Sequence, residues 1–239
     1  MMQPSGSGGG FGLNVTPLAR KILITLVVAY LLQLVLAHSF PVNQWLAMQP
    51  VRSGAWRPWQ PFTMLLLNGP LPWPLIEWFF LASFLGSVEQ MLGRKRFIRG
   101  WLVAHFSGVA GALILDVLGL LPGTEPAMGL STLWTALIVY FGLTIPNSEI
   151  RLMGIIPIRA GWMAWGMGLL ALLYFVANPS PRWALSLFAW IGAWAWIRGL
   201  RQLRDVVASR KAAKDIQRDL VHLQVLKGGK DDDDEEYIH

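Results

Sequence analysis

The chain has no cysteine, which excludes disulfides and thiolate metal sites and leaves the redox compartment open. Charge is scarce too: 14% of its 239 residues are Asp, Glu, Lys or Arg, against about 25% in ordinary globular domains. Histidine, the commonest general base, occurs four times, as His38, His105, His222 and His239. That shortage confines acid–base chemistry to few positions. What is abundant is apolar surface. Hydrophobic residues make up 54% of the chain, tryptophan alone occurs 13 times, and the mean hydropathy is +0.45. This is the composition of a polytopic membrane protein. The net charge of +6 follows the loops between apolar runs, so it points to membrane orientation and not to nucleic acid.

A spanning helix takes about 20 mostly apolar residues. Six candidate runs occur, at 22–36, 74–92, 97–121, 129–145, 161–177 and 183–197, several of them short. Seventeen of the 20 lysines and arginines fall on one side of this arrangement, and Arg52, Arg57 and Arg182 fall on the other. The positive-inside rule then predicts six helices with both termini cytoplasmic. Basic cytoplasmic loops fit a bacterial inner membrane, and an endoplasmic reticulum membrane would look similar. No cleavage site of the A-x-A type follows the first run, which continues His38-Ser39-Phe40-Pro41, so an uncleaved first helix is expected.

The ends differ from the middle. Residues 1–16 form an arm whose run of Ser and Gly at 5–10 reads as a flexible linker. The membrane domain is expected over 17–200. Residues 201–227 then carry an apolar stripe of Leu203, Val206, Ile216, Leu220 and Leu223 among many charges. Such an amphipathic helix seeks a second surface, either lipid head groups or a soluble partner on the cytoplasmic side. Residues 228–239 hold the acidic block from Asp231 to Glu236, a solvated tail.

Within the membrane domain, four stretches carry motifs. The first loop is rich in Trp45, Trp56, Pro58 and Trp59, and runs Trp59-Gln60-Pro61-Phe62-Thr63 towards Asn68-Gly69-Pro70. The turn after the second run reads Glu89-Gln90-Met91-Leu92-Gly93-Arg94-Lys95-Arg96-Phe97. The fourth run opens with Gly129-Leu130-Ser131-Thr132, and Ile150-Arg151-Leu152-Met153-Gly154 precedes the fifth. In this order the motifs resemble the rhomboid superfamily of intramembrane serine proteases over about residues 17 to 200. The resemblance implies an all-α polytopic fold, a six-helix rhomboid-like bundle, followed here by the cytoplasmic amphipathic helix. It makes Trp59, Gln60, Glu89 and Gly93 structural motif residues, and it places Ser131 where the family keeps its nucleophile.

The same resemblance locates the departures. The family's base is a histidine on the sixth helix, and counting places Trp190 there. Its oxyanion-stabilising pair on the second helix falls at Trp73 and Glu77, and its first-loop histidine at Asn68. An indole nitrogen donates a hydrogen bond but accepts no proton. A carboxylate at Glu77 would repel a developing oxyanion. Thr132, in place of the motif's last glycine, would crowd the approach of a substrate. Gly129, Ser131, Thr132, Trp190, Glu77, Trp73 and Asn68 are therefore expected to form a pseudo-active-site pocket without catalysis.

Other polar residues have simpler expectations. The Ser131 hydroxyl is expected to bond a backbone carbonyl within the bundle, as small polar residues do in membrane helices. Glu77 is expected to be a structural acid or to hold a polar group of a client. His105 and Asp116 are eleven residues apart and share one helix face. His105 is expected to contact a neighbouring helix on a peripheral third helix away from the serine. The tryptophans at 162, 165, 183, 190, 194 and 196 lack the axial histidines or glycine-rich loop of a pigment or nucleotide site, so no cofactor and no metal is expected.

These readings converge on a catalytically inactive rhomboid-like protein with short derlin-like matches, which binds lipids and transmembrane clients or partner subunits in a scaffold or quality-control role. A structural subunit of a larger membrane complex is the first alternative. An active intramembrane serine protease with a non-standard base is the second.

Overall fold

A computed structural model describes residues 15–121, 125–152, 156–202 and 209. The stripe residues Leu203, Val206, Ile216, Leu220 and Leu223, the arm before residue 15 and the acidic tail lie outside the described residues.

Helix α1 covers Pro17–Leu36. Thr16 caps it, accepting from the Ala19 N–H at 3.2 Å, with proline in the first helical position, where its missing donor costs nothing. Two short helices, α2 (Val42–Leu46) and α3 (Gln60–Thr63), lie in the loop that follows. After a cis Leu71–Pro72 peptide, α4 runs over Trp73–Leu92 and α5 over Arg94–Val117. Gly93 alone separates α4 from α5, at φ 78°, a left-handed conformation that a side chain would strain. Helix α6 covers Ser131–Thr144 and α7 covers Ala160–Ala177. Residues 181–197 form α8, the last helix of the first of two units into which the chain divides; residues 198–202 are also helical and belong to the second.

Four of these helices, α1, α4, α5 and α7, are long and apolar enough to cross a membrane. Helix α6 has 14 residues and so spans about 21 Å, short of the roughly 30 Å of a bilayer's hydrocarbon. It is nevertheless the most enclosed, with Thr132, Leu133, Thr135, Ala136, Leu137, Val139, Tyr140 and Gly142 all buried. It packs against α4, α5 and α7. Gly142 permits the closest approach, since a Cβ there would lie 2.3 Å from the Ala160 carbonyl oxygen. The segment between α6 and α7, expected as a loop, forms an antiparallel hairpin of β1 (Glu149–Leu152) and β2 (Ile156–Arg159), with Glu149 opposite Arg159. The alternation of branched apolar residues with Arg151, Pro157 and Arg159 was its sequence signal.

The first loop is a structured element. Gln60 is fully buried and is its hub. Its Oε1 accepts the backbone N–H groups of Gln49 and Arg57, and its Nε2 donates to the carbonyls of Gln44 and Ala55. Trp59 donates its indole N–H to the Trp45 carbonyl at 3.1 Å, and both rings stay substantially exposed. Asp116, at the far end of α5, accepts from the N–H groups of Val51 and Arg52. A reciprocal pair of bonds between Met48 and Ala127 ties the loop to the approach of α6. At the opposite end of α4, the Thr16 hydroxyl donates to the Glu89 carboxylate and joins α1 to that helix.

Candidate functional site

Three helices begin at one place. The first turns of α4 and α8 and the first residue of α6 surround a cavity of about 790 Å³. Asn68, Trp73, Glu77, Gly129 and Ser131 all line it. Chain geometry explains the gathering. Gly129, at φ 93°, turns the backbone into α6 while its N–H donates to the Met64 carbonyl at 2.9 Å. Asn68 is held by a two-way clasp, its N–H donating to Gln33 Oε1 and its carbonyl accepting from Gln33 Nε2, each at 3.0 Å.

Ser131 differs from its expectation. Its hydroxyl is buried and has no hydrogen-bond partner, whereas its backbone carbonyl accepts from the Thr135 hydroxyl at 2.8 Å. Ser131 is the first residue of α6, so no earlier turn of that helix offers its hydroxyl a carbonyl. Asn68 is 4% exposed, and its Oδ1 is likewise unpartnered while its Nδ2 donates to the Leu66 carbonyl.

Two residues placed in the pocket by sequence counting are elsewhere. Trp190 does not line the cavity. Its indole N–H donates to the Ala164 carbonyl at 2.7 Å, its ring lies 5.4 Å from that of Trp165, and it fills the space left by Gly168. Trp190 is a packing residue between α8 and α7. The residues of α8 that do line the cavity are Arg182, Trp183 and Ser186, about one to two turns earlier. Ser186 donates back to the Arg182 carbonyl at 3.1 Å. Thr132 also points away. Its side chain is fully buried and crowds no substrate path, because it packs towards α5.

Thr132 meets His105 there. His105 Nδ1 lies 2.9 Å from Thr132 Oγ1, and Nε2 lies 2.9 Å from the Pro61 carbonyl oxygen. A carbonyl only accepts, so Nε2 carries the proton. In a neutral imidazole Nδ1 is then the acceptor, and the Thr132 hydroxyl donates to it. Helix α5 is therefore not remote from the serine motif, as expected from its peripheral placement: its histidine holds the residue beside the serine. His105 is 1% exposed and joins three parts of the chain, α5, α6 and the first loop. The sequence signal was a lone histidine in an apolar helix and a threonine where the motif's glycine should be.

Charge in the cavity comes from Glu77 and Arg182. Arg182 was visible in the sequence as one of three basic residues on the charge-poor side, without a sign that it would face Glu77. Among the described residues, no group of three or more His, Asp or Glu is placed to hold a metal ion.

The comparison with curated proteins finds no match. The family model of eukaryotic integral membrane proteins (DUF1751) matches residues 20–222. The eukaryotic family counts against the bacterial inner membrane expected from the basic loops, and the chain belongs to this family of eukaryotic integral membrane proteins.

Proposed function

We propose that this is a catalytically inactive rhomboid-like protein that receives transmembrane partners in the cleft above Ser131, with six membrane helices and both termini cytoplasmic. The observation that carries the reading is the unpartnered Ser131 hydroxyl in a cavity whose lining contains no histidine. A serine becomes a nucleophile when an adjacent base takes its proton. The one imidazole close to the motif is committed on both nitrogens, to Thr132 and to the Pro61 carbonyl. Thr132 and His105 do form a hydroxyl–imidazole pair, but both are enclosed and Thr132 does not border the cavity, so no peptide bond reaches it.

Binding is supported by the shape of the cavity. Its walls come from α4, with Ile76, Glu77 and Phe80, and from α7, with Met167. Both helices thus present side chains to the same space. The α4 residues Trp73, Ile76, Phe79 and Phe80 are exposed beside it. An apolar segment docking there would meet these exposed side chains, and interhelical association in lipid relies on such shape and on polar contacts. A photo-crosslinking residue at Ile76 is expected to capture transmembrane segments of membrane proteins, and one at Val35 on the outer face of α1 is not. Equal capture from both positions contradicts the reading. Capture of a single stoichiometric protein favours a structural subunit of a larger complex.

A further inference from the structure

Three buried polar atoms without partners belong to residues that line the cavity: Asn68 Oδ1, Ser131 Oγ and the Trp134 indole N–H. The first accepts, the last donates, and the hydroxyl does either. Native proteins leave few such groups unsatisfied, and each one asks for an explanation. Here all three lie enclosed within the wall of one cavity, which makes that wall polar and suits it to a polar occupant.

The charges narrow that occupant. Glu77 and Arg182 both line the cavity, one acidic and one basic side chain in the same space. A guest carrying one negative and one positive group engages both and leaves the net charge unchanged. The negative group belongs at Arg182, beside the N-terminal turns of α6 and α8, whose free N–H groups favour anions. The positive group belongs at Glu77, where the exposed ring of Trp73 also suits an ammonium. Ile76, Phe80 and Met167 supply an apolar wall next to this polar end. The exposed side chains of Ile76 and Phe80 stand where this space meets the outside of the bundle.

We propose that the polar end of the cavity binds the head group of a zwitterionic phospholipid, with its phosphate at Arg182 and its ammonium at Glu77. The acyl chains then leave along Ile76 and Phe80 into the bilayer. This rests on reading the cavity as a binding site and not a catalytic one. Lipid is present at every moment, so an arriving protein partner has to displace it.

The test uses the full chain in dodecylmaltoside with two probes fluorescent at the acyl end, phosphatidylcholine and phosphatidylglycerol. Phosphatidylcholine is expected to bind saturably and about tenfold more tightly than the anionic probe, as one charge-assisted contact would give. Glu77→Gln is expected to erase that preference, because it removes both the partner of the ammonium and the repulsion of the anion. Arg182→Gln is expected to weaken both probes. Equal binding of the two probes by the wild type overturns the proposal, as does an unchanged preference in Glu77→Gln. A head-group-free diacylglycerol probe that binds as tightly as phosphatidylcholine overturns it too. If Arg182→Gln does not yield a monodisperse protein, the Glu77→Gln preference decides alone. Covalent labelling of Ser131 by a fluorophosphonate would instead sink the binding-site reading beneath it, so the two failures are distinct.

Discussion

Ser131 and Thr132 are neighbours in sequence, about 100° apart around α6, and they live in different surroundings. Ser131 borders a cavity, where its hydroxyl is bonded to nothing. Thr132 is buried against α5, where its hydroxyl donates to His105. One residue has the place of a nucleophile without a base, and the other has an imidazole without access. The difference shows where this chain uses its scarce histidine. Imidazole is spent on tying α5, α6 and the first loop together, and the residues lining the cavity include no histidine.

That contrast makes graded predictions. His105→Ala has the largest expected effect, since it leaves the Thr132 hydroxyl and the Pro61 carbonyl unpaired. Each buried orphan costs about 1–3 kcal/mol, and thermal unfolding in detergent is expected to show their combined loss. A shift below about 1 kcal/mol breaks the comparison. Gly108→Ala tests the same buried side from α5. Its Cβ would lie 2.7 Å from the Leu185 carbonyl oxygen and 3.2 Å from Thr132 Cγ2. Overpacking of this kind costs about 1–3 kcal/mol, and a variant as stable as the wild type would show that α5 and α8 do not meet so closely.

Thr132→Val keeps the shape and removes the donor to His105, so a loss of about 1 kcal/mol is expected, the scale of interhelical hydrogen bonds in membranes. Ser131→Ala should be the mildest change, within about 0.5 kcal/mol of the wild type, because no bond is lost. The same unfolding assay reads both. If Ser131→Ala is the more damaging of the two, the hydroxyl has a partner and the assignment of the two environments is reversed.

The positions of helices along the chain were legible from hydropathy, and their rotation about their own axes was not. The apolar runs at 74–92 and 161–177 fall almost on α4 and α7. Lipid and protein interior are both apolar, so hydrophobicity does not tell the two sides of such a helix apart. Trp165 is 56% exposed while its neighbour Trp190 is half-buried, and nothing in their composition distinguishes them. This is why counting put Trp190 in the pocket and missed Arg182 and Ser186. Polar residues gave better guidance. Asn68, Glu77 and Ser131 stand out in apolar surroundings, and they line one cavity. The pairing of His105 with Thr132 needed the third dimension, because 27 residues separate them and either could have faced another helix.

The central claim is that Ser131 is unactivated. Intact-protein mass spectrometry after exposure of the full chain to a fluorophosphonate tests it most directly. The account predicts no adduct on the wild type, as on Ser131→Ala. An adduct on the wild type that disappears in Ser131→Ala would contradict it and return this chain to the enzymes.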